Sequence, residues 1–172
     1  NHLYKLCELS QKEGIQKVFV HAFTDGRDCD PKSGKEFIKK LEKNLFVAKI
    51  ASICGRYYAM DRDKRWERVK LSYDLLTKGK GDSSQNLTKS IQDSYNIGVT
   101  DEFIKPIVSV DENNNPIATI KENDAVICFN FRTDRCREIT TVLTQKNMSE
   151  FEMNTLDLHY TTMTNYDDTY KN

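Results

Sequence analysis

The chain has 172 residues, 38% of them hydrophobic, which suits one globular domain around one core and is short for two. Its 26 Lys and Arg balance its 26 Asp and Glu, so no global field favours nucleic acid or an anionic membrane, and any charge-based function has to be local. Without a run of about 18 apolar residues or a signal-like start, the chain reads as soluble. Its five cysteines, odd in number and without CxxC spacing, suit a reducing cytosol. Starting at Asn1 without an initiator Met and stopping at Asn172 after a polar segment, the chain reads as a piece of a longer protein.

Leu3, Leu6, Cys7 and Leu9 recur at helical spacing and Gly14 follows as a stop, predicting an opening helix. Residues 17–23 (KVFVHAF) read as a buried strand and 24–32 as a loop. Ser33 with Glu36 forms a capping-box pattern for a helix whose Phe37, Ile38 and Leu41 face the sheet. Residues 48–54 (AKIASIC) are the next strand, with a loop over 55–62. Asp63 is the expected N-cap of a helix carrying Trp66, Val69, Tyr73 and Leu76, closed by Gly79.

Residues 79–86 read as a flexible polar linker and 87–95 as a shorter helix. β-rich stretches at 107–110 and 117–120 flank a turn-rich hairpin connection, 111–116. Residues 125–131 (AVICFNF) are expected as a strongly buried strand, followed by a helix from Thr133 or Asp134 through Ile139 and Val142, and by a last, alternating strand over 156–163. The strand, loop, helix alternation predicts an α/β fold, a mostly parallel sheet with helices on both faces. Ligands of such folds sit beyond the carboxyl ends of the strands.

All eight arginines fall in three segments, each just after a predicted strand: Arg27; Arg56, Arg62, Arg65 and Arg68; Arg132, Arg135 and Arg137. The lysines are scattered over the surface. A guanidinium is a planar fork that grips phosphate or carboxylate through two parallel hydrogen bonds, so arginines gathered at strand ends suit oriented recognition of a small dianion. The competing reading is that each arginine pairs with a neighbouring Asp25, Asp28, Asp61, Asp63 or Asp134 in an ordinary surface ion pair. Arg65, Arg68 and Arg137 fall within predicted helices and are expected to serve structure or solvation.

Asp28 stands beside Arg27 in the Thr24-Asp25-Gly26-Arg27-Asp28 loop. Either it orients a substrate hydroxyl or moves its proton, or it only holds an arginine in place. Asp25, ahead of Gly26, is read as shaping the turn. His2, His21 and His159 share no metal-ligand spacing, and His21, inside a strand, is expected to be a satisfied core histidine. No metal site, Gly-rich phosphate loop or nucleophile elbow is predicted. Cys54 and Cys128 are expected in the core. Tyr57 and Tyr58 offer faces for base stacking, which keeps a weak nucleic-acid reading open.

Three segments carry a resemblance: residues 21–28 (HAFTDGRD); 55–63 (GRYYAMDRD) with Arg65 and Trp66 following; and 129–135 (FNFRTDR). In this order they closely resemble the cofactor-independent phosphoglycerate mutases, over essentially the whole chain. That family joins a metal-binding domain of alkaline-phosphatase type, with a serine nucleophile and two manganese ions, to an inserted α/β substrate-binding domain. The resemblance implies that residues 1–172 are a single, nearly complete copy of the inserted domain, with the metal-binding domain absent.

It implies an isomerase of glycolysis and gluconeogenesis, a cytoplasmic monomer that needs no 2,3-bisphosphoglycerate. Serine takes the phosphoryl group from 3-phosphoglycerate, the glycerate reorients, and the group returns to give 2-phosphoglycerate. Arg27, Asp28, Arg56, Arg62, Arg132 and Arg135 match substrate-binding positions, and Asp28 also matches a residue proposed to handle the glycerate hydroxyl proton.

The chain departs from the family pattern in three ways. The Gly-Gly-Val-His segment expected just ahead of Asn1 is absent, Thr133 stands where Pro is usual, and the serine, the metal ligands and a substrate lysine belong to the other domain. The chain alone is therefore expected to be inactive. The alternative class is a non-catalytic anion-binding module, a phosphometabolite sensor or a weak nucleic-acid binder.

Overall fold

The structure, a computed structural model, describes residues 2–170; Asn1, Lys171 and Asn172, the ends of the expected 1–172 domain, lie outside the described residues. The β-branched and aromatic run near the start forms β1 (Phe19–Thr24), which pairs in parallel with β2 (Lys49–Gly55). Val20 lies opposite Ile50 and His21 opposite Ser52, so Ala51 is an extra residue in β2. This bulge rephases the strand. Ile50 and Ile53, three apart, face one core, while Cys54 faces the other.

β3 (Asp82–Ser84) pairs in parallel with β4 (Ile107–Ser109), and β4 runs antiparallel to β2, giving the order β1-β2-β4-β3. β5 (Ala125–Cys128) and β6 (His159–Thr162) form a separate two-stranded parallel sheet. The α/β reading holds, with a mostly parallel sheet whose one antiparallel pairing, β2 with β4, sets β3 and β4 opposite to β1 and β2.

Helices cover both faces of the larger sheet. On one, α1 (His2–Lys12), α2 (Gly34–Glu42) and α5 (Leu87–Asn96) bury Cys7, Ile38, Leu41, Leu87 and Ile91 against Val20, Ile50, Ile53 and Ile107. A one-turn helix, α3 (Arg56–Ala59), opens the loop expected over 55–62. On the other face lies α4 (Trp66–Lys78), whose Leu75 packs with Cys54, Val108 and Val110.

The neighbouring side of α4 presents Val69, Tyr73 and Leu76 to Ile139 of α6 (Arg137–Thr140), and to Val142 and Leu143 in the π-helical turn that follows. α4 is thus wedged between the two sheets. Burying an aliphatic side chain such as Ile53 or Leu75 contributes about 1.5 to 3 kcal/mol. Gly79 ends α4 in the left-handed region (φ 63), returning its N–H to Leu75 O at 3.2 Å.

Other elements depart from the expectations for visible reasons. Ser33 makes no side-chain cap; its hydroxyl donates to Asp30 O at 2.7 Å. The orphan amides of α2 find distant partners instead: Gly34 N donates to Asp101 Oδ2 at 2.7 Å and Lys35 N to the Tyr95 hydroxyl at 3.1 Å. Asp63 does not cap α4, which starts at Trp66, because its carboxylate takes Arg65 Nη1 at 2.5 Å. The expected linker over 79–86 contains β3, whose serines carry no apolar signal.

Residues 117–120 form no strand. Asp111 Oδ1 gathers Asn113 N and Asn115 N, each at 2.9 Å, and Pro116, lacking an N–H, contributes only an isolated bridge to Val110. The run 125–131 is a strand only to Cys128 and is not strongly buried, since β5 pairs with β6 alone; Ile127 is 50% and Phe131 63% exposed. The helix expected from Thr133 or Asp134 starts at Arg137, with the Asp134 carboxylate engaged by Arg62. The last strand is limited to β6 because Leu156 N turns to Leu143 O at 2.8 Å.

Candidate functional site

The carboxyl ends of β1 and β2 are pinned to one buried acid. Asp101 opens a 3-10 turn (Asp101–Phe103) and is fully buried. Its Oδ2 accepts from Gly34 N, its Oδ1 accepts from the Tyr95 hydroxyl at 2.5 Å, and its carbonyl accepts from Thr24 Oγ1 at 2.7 Å. Burial raises the Asp101 carboxyl above its ordinary value, against the Tyr95 and Gly34 hydrogen bonds. Two glycines let the site loops approach this turn. A Cβ on Gly26 (φ 67) would stand 2.7 Å from Asp101 Cβ, and one on Gly55 would collide with Glu102 O.

On that base the loop acids are placed. Asp25 Oδ1 accepts from Arg27 N and Asp28 N, each at 3.2 Å, closing the turn, and from Arg56 Nη1 at 2.5 Å. Arg56, whose side chain is 4% exposed, also donates to Asp28 Oδ2 at 3.0 Å. Arg132 Nη1 reaches the same oxygen at 2.9 Å. The loop after β5 therefore meets the loops after β1 and β2 at Asp28. Arg56 first, and Arg132 after it, hold the Asp28 carboxyl below the usual carboxylate range.

Beside this junction, Arg62 Nη1 donates to Asp134 Oδ2 at 2.8 Å, and Arg135 Nε lies 3.9 Å from that oxygen. Arg135 donates through Nη1 to Met60 O at 3.4 Å, while its Nε is buried without a hydrogen-bond partner among the described residues. Burial, then the charges of Arg56, Arg62 and Arg132, lower the Arg135 pKa. Four guanidiniums thus share one neighbourhood with the carboxylates of Asp25, Asp28 and Asp134. Arg27 stands apart: its side chain is 65% exposed and contacts Glu102 Oε1 at 3.4 Å.

Both readings of the arginines are therefore physically present, pairing with neighbouring acids and convergence of three loops. The other arginines serve structure: Arg65 binds Asp61 and Asp63, the Arg68 guanidinium lies 3.8 Å over the Tyr57 ring, and Arg137 Nε donates to Tyr166 O at 2.9 Å. Arg65 precedes α4 and does not lie within it. Because Arg68 and Phe103 cover Tyr57, the face suggested for base stacking is occupied. His21 is a satisfied histidine: Nδ1 lies 2.7 Å from Ser52 Oγ, and burial lowers its pKa to about 4. Cys54 is fully buried, whereas Cys128 is only half-buried. Among the described residues no group of three or more His, Cys, Asp or Glu could hold a metal ion.

Sequence reasoning missed Asp101 and a second acid pair. Asp61 is buried, with Oδ2 accepting from Asp63 N and Arg65 N, each at 3.0 Å. Glu138, on α6, accepts Lys64 N at 2.7 Å through Oε1, while its buried Oε2 finds no donor among the described residues. Burial first, with neighbouring Asp61 adding to it and the Lys64 N hydrogen bond opposing it, raises the Glu138 carboxyl to about 7. Through the hydrogen bond from Lys64 N, Glu138 ties the Arg62 loop to α6. The only sequence signal for either feature was an acidic residue next to an arginine motif or between two short elements.

The model of the BPG-independent PGAM N-terminus family (iPGM_N) matches residues 1–168. The 2,3-bisphosphoglycerate-independent phosphoglycerate mutase of Flavobacterium psychrophilum is 58% identical over 174 residues, covering 100% of this chain and 34% of the relative. That of Clostridium beijerinckii is 54% identical over 171 residues, covering 98% and 33%. The chain thus spans about a third of the length of these curated relatives. Crystal structures of Leishmania mexicana phosphoglycerate mutase at low cobalt concentration match with a TM-score of 0.87 at 32% identity, over 96% of this chain and 32% of that one. Matched nearly end to end in sequence and fold, the chain belongs to the BPG-independent phosphoglycerate mutase N-terminus family.

Proposed function

We propose that this chain is the substrate-binding part of a cytoplasmic, monomeric phosphoglycerate mutase, holding 3-phosphoglycerate and 2-phosphoglycerate while the rest of the polypeptide transfers the phosphoryl group. The observation that carries this reading is the meeting of Arg56 and Arg132 on Asp28, with Arg62 and Arg135 alongside. The substrate bears a phosphate, a carboxylate and a hydroxyl. Guanidiniums suit the two anions, and Asp28 suits the hydroxyl.

Anion and Asp28 compete for the same cations. A bound anion that draws Arg56 and Arg132 toward itself removes the charges that depress Asp28, so the carboxylate gains basicity only when substrate is present. Several simultaneous contacts also keep the glycerate intermediate from escaping while it reorients. The nucleophilic serine and two manganese ions are assigned to the remainder of the polypeptide, and no 2,3-bisphosphoglycerate is required. In this reading the part played by this chain is binding and proton handling, and the chain by itself should not turn over.

Arg62→Ala in the full-length, manganese-loaded polypeptide tests the reading. Mutase turnover per KM should fall about hundredfold with bound manganese unchanged; undiminished turnover would remove Arg62 from the site.

A further inference from the structure

Two thiols bracket the loop that carries Arg132 and Arg135. Cys128 ends β5, and Cys136 immediately precedes α6. They are joined through Asn130 and Tyr166. Asn130 Nδ2 donates to Cys136 Sγ at 3.4 Å, the Tyr166 hydroxyl donates to Asn130 O, and the same hydroxyl lies 3.3 Å from Cys128 Sγ. The two thiols also lie near enough for each to perturb the other's ionisation. Asn130 in turn holds the arginine loop, because its Oδ1 accepts Arg132 N at 3.0 Å.

We propose that Cys128 and Cys136 are an oxidation site, where a hydroperoxide forms a disulfide that releases Asn130 from Cys136 and thereby loosens Arg132. The two sulfurs differ in the way such chemistry needs. Cys128 is half-buried and Cys136 is 1% exposed, so a small peroxide meets Cys128 first. Cys136 beside it, against burial, lowers the Cys128 thiol below its ordinary value and so favours the thiolate.

In the first step the Cys128 thiolate attacks the peroxide. The O–O bond breaks, an S–O bond forms, and hydroxide or alkoxide leaves, giving a sulfenic acid. In the second step Cys136 sulfur, losing its proton, attacks Cys128 sulfur. The S–S bond forms, the S–O bond breaks, and water leaves. Two electrons pass from the thiol pair to the peroxide. A disulfide holds its sulfurs about 2 Å apart, so Cys136 must turn from Asn130 toward Cys128, and the anchor on the Arg132 backbone loses its own support.

The test treats the full-length polypeptide with hydrogen peroxide, maps disulfides by mass spectrometry after alkylating free thiols, and measures KM for 3-phosphoglycerate. We expect a Cys128–Cys136 linkage, reversed by dithiothreitol, with KM raised about fivefold. Cys136→Ser should stop at a Cys128 sulfenic acid that dimedone traps, and Cys128→Ser should form neither product. If Cys136→Ser does not fold, alkylation of the wild-type protein before and after peroxide decides the matter. Both thiols remaining alkylatable, or a mapped disulfide that leaves KM unchanged, would overturn the proposal. The KM arm rests on the mutase reading and the mapping arm does not, so a mapped linkage in a protein without mutase activity would reject that reading while retaining the oxidation site.

Discussion

The loops after β1 and β2 and the loop after β5 meet at Asp28 but are anchored by different means. The first two rest on Asp101, a fully buried carboxyl that caps α2, binds Tyr95 and, through its carbonyl, holds Thr24. Their glycines fit so closely against that turn that no side chain could be added. The loop after β5 leaves a two-stranded sheet with exposed positions, and its attachments are side-chain contacts: Asn130 to Cys136, Arg132 to Asp28, and Arg135 to Met60 O. A firm arm and an adjustable arm teach how one site can be held in place on one side and left free to adjust on the other.

The largest expected effect breaks the point where the arms meet. Asp28→Asn in the full-length enzyme removes the proton acceptor but keeps a hydrogen-bonding group of the same shape. Turnover should drop about a thousandfold, with 3-phosphoglycerate binding and bound manganese retained. A variant within a factor of two of wild type would leave Asp28 as no more than an arginine partner. Next comes the firm arm: Asp101→Ala leaves Gly34 N and the Tyr95 hydroxyl unsatisfied and should lower unfolding stability by about 3 kcal/mol, measured by urea titration. A smaller loss than that of an exposed surface variant would show that the arms are anchored alike.

The smallest of these effects probes the adjustable arm through pH. The Glu138 carboxyl is raised when folded, so below the ordinary carboxylate range both folded and unfolded chains keep the proton and nothing is lost. As pH rises toward 7 the unfolded chain ionises first, and folding loses stability across that window. Glu138→Gln keeps the acceptor for Lys64 N and cannot ionise. It should be more stable than wild type by about 1 to 2 kcal/mol at pH 8 and indistinguishable near pH 4. A stability difference independent of pH would mean that Glu138 is ionised in the folded protein.

What the sequence revealed and what it hid follow from the range of the interactions. The helix stop at Gly79 and the strand at KVFVHAF depend on neighbouring residues, and both stand close to where spacing put them. The arginines could be seen to gather because all three segments follow strands. Asp101 could not be ranked, since its partner Gly34 is 67 residues away. For the same reason Ser33 looked like a cap: the pattern was local, but the amide it would have served was already taken. AVICFNF looked buried because apolar composition says nothing about how many strands or helices flank a strand. The direction of β4 was likewise set by a pairing that no local pattern encodes.

The central claim, that the converging arginines bind the substrate, is tested most directly at Arg132. Its side chain is half exposed and contacts Asp28 across the junction, so Arg132→Ala can be made without opening the core. Steady-state kinetics of the full-length enzyme should show KM for 3-phosphoglycerate rising about tenfold with the unfolding midpoint unchanged. An unchanged KM in a folded, manganese-loaded Arg132→Ala enzyme would contradict the claim and leave these arginines as partners of Asp28 and Asp134 alone.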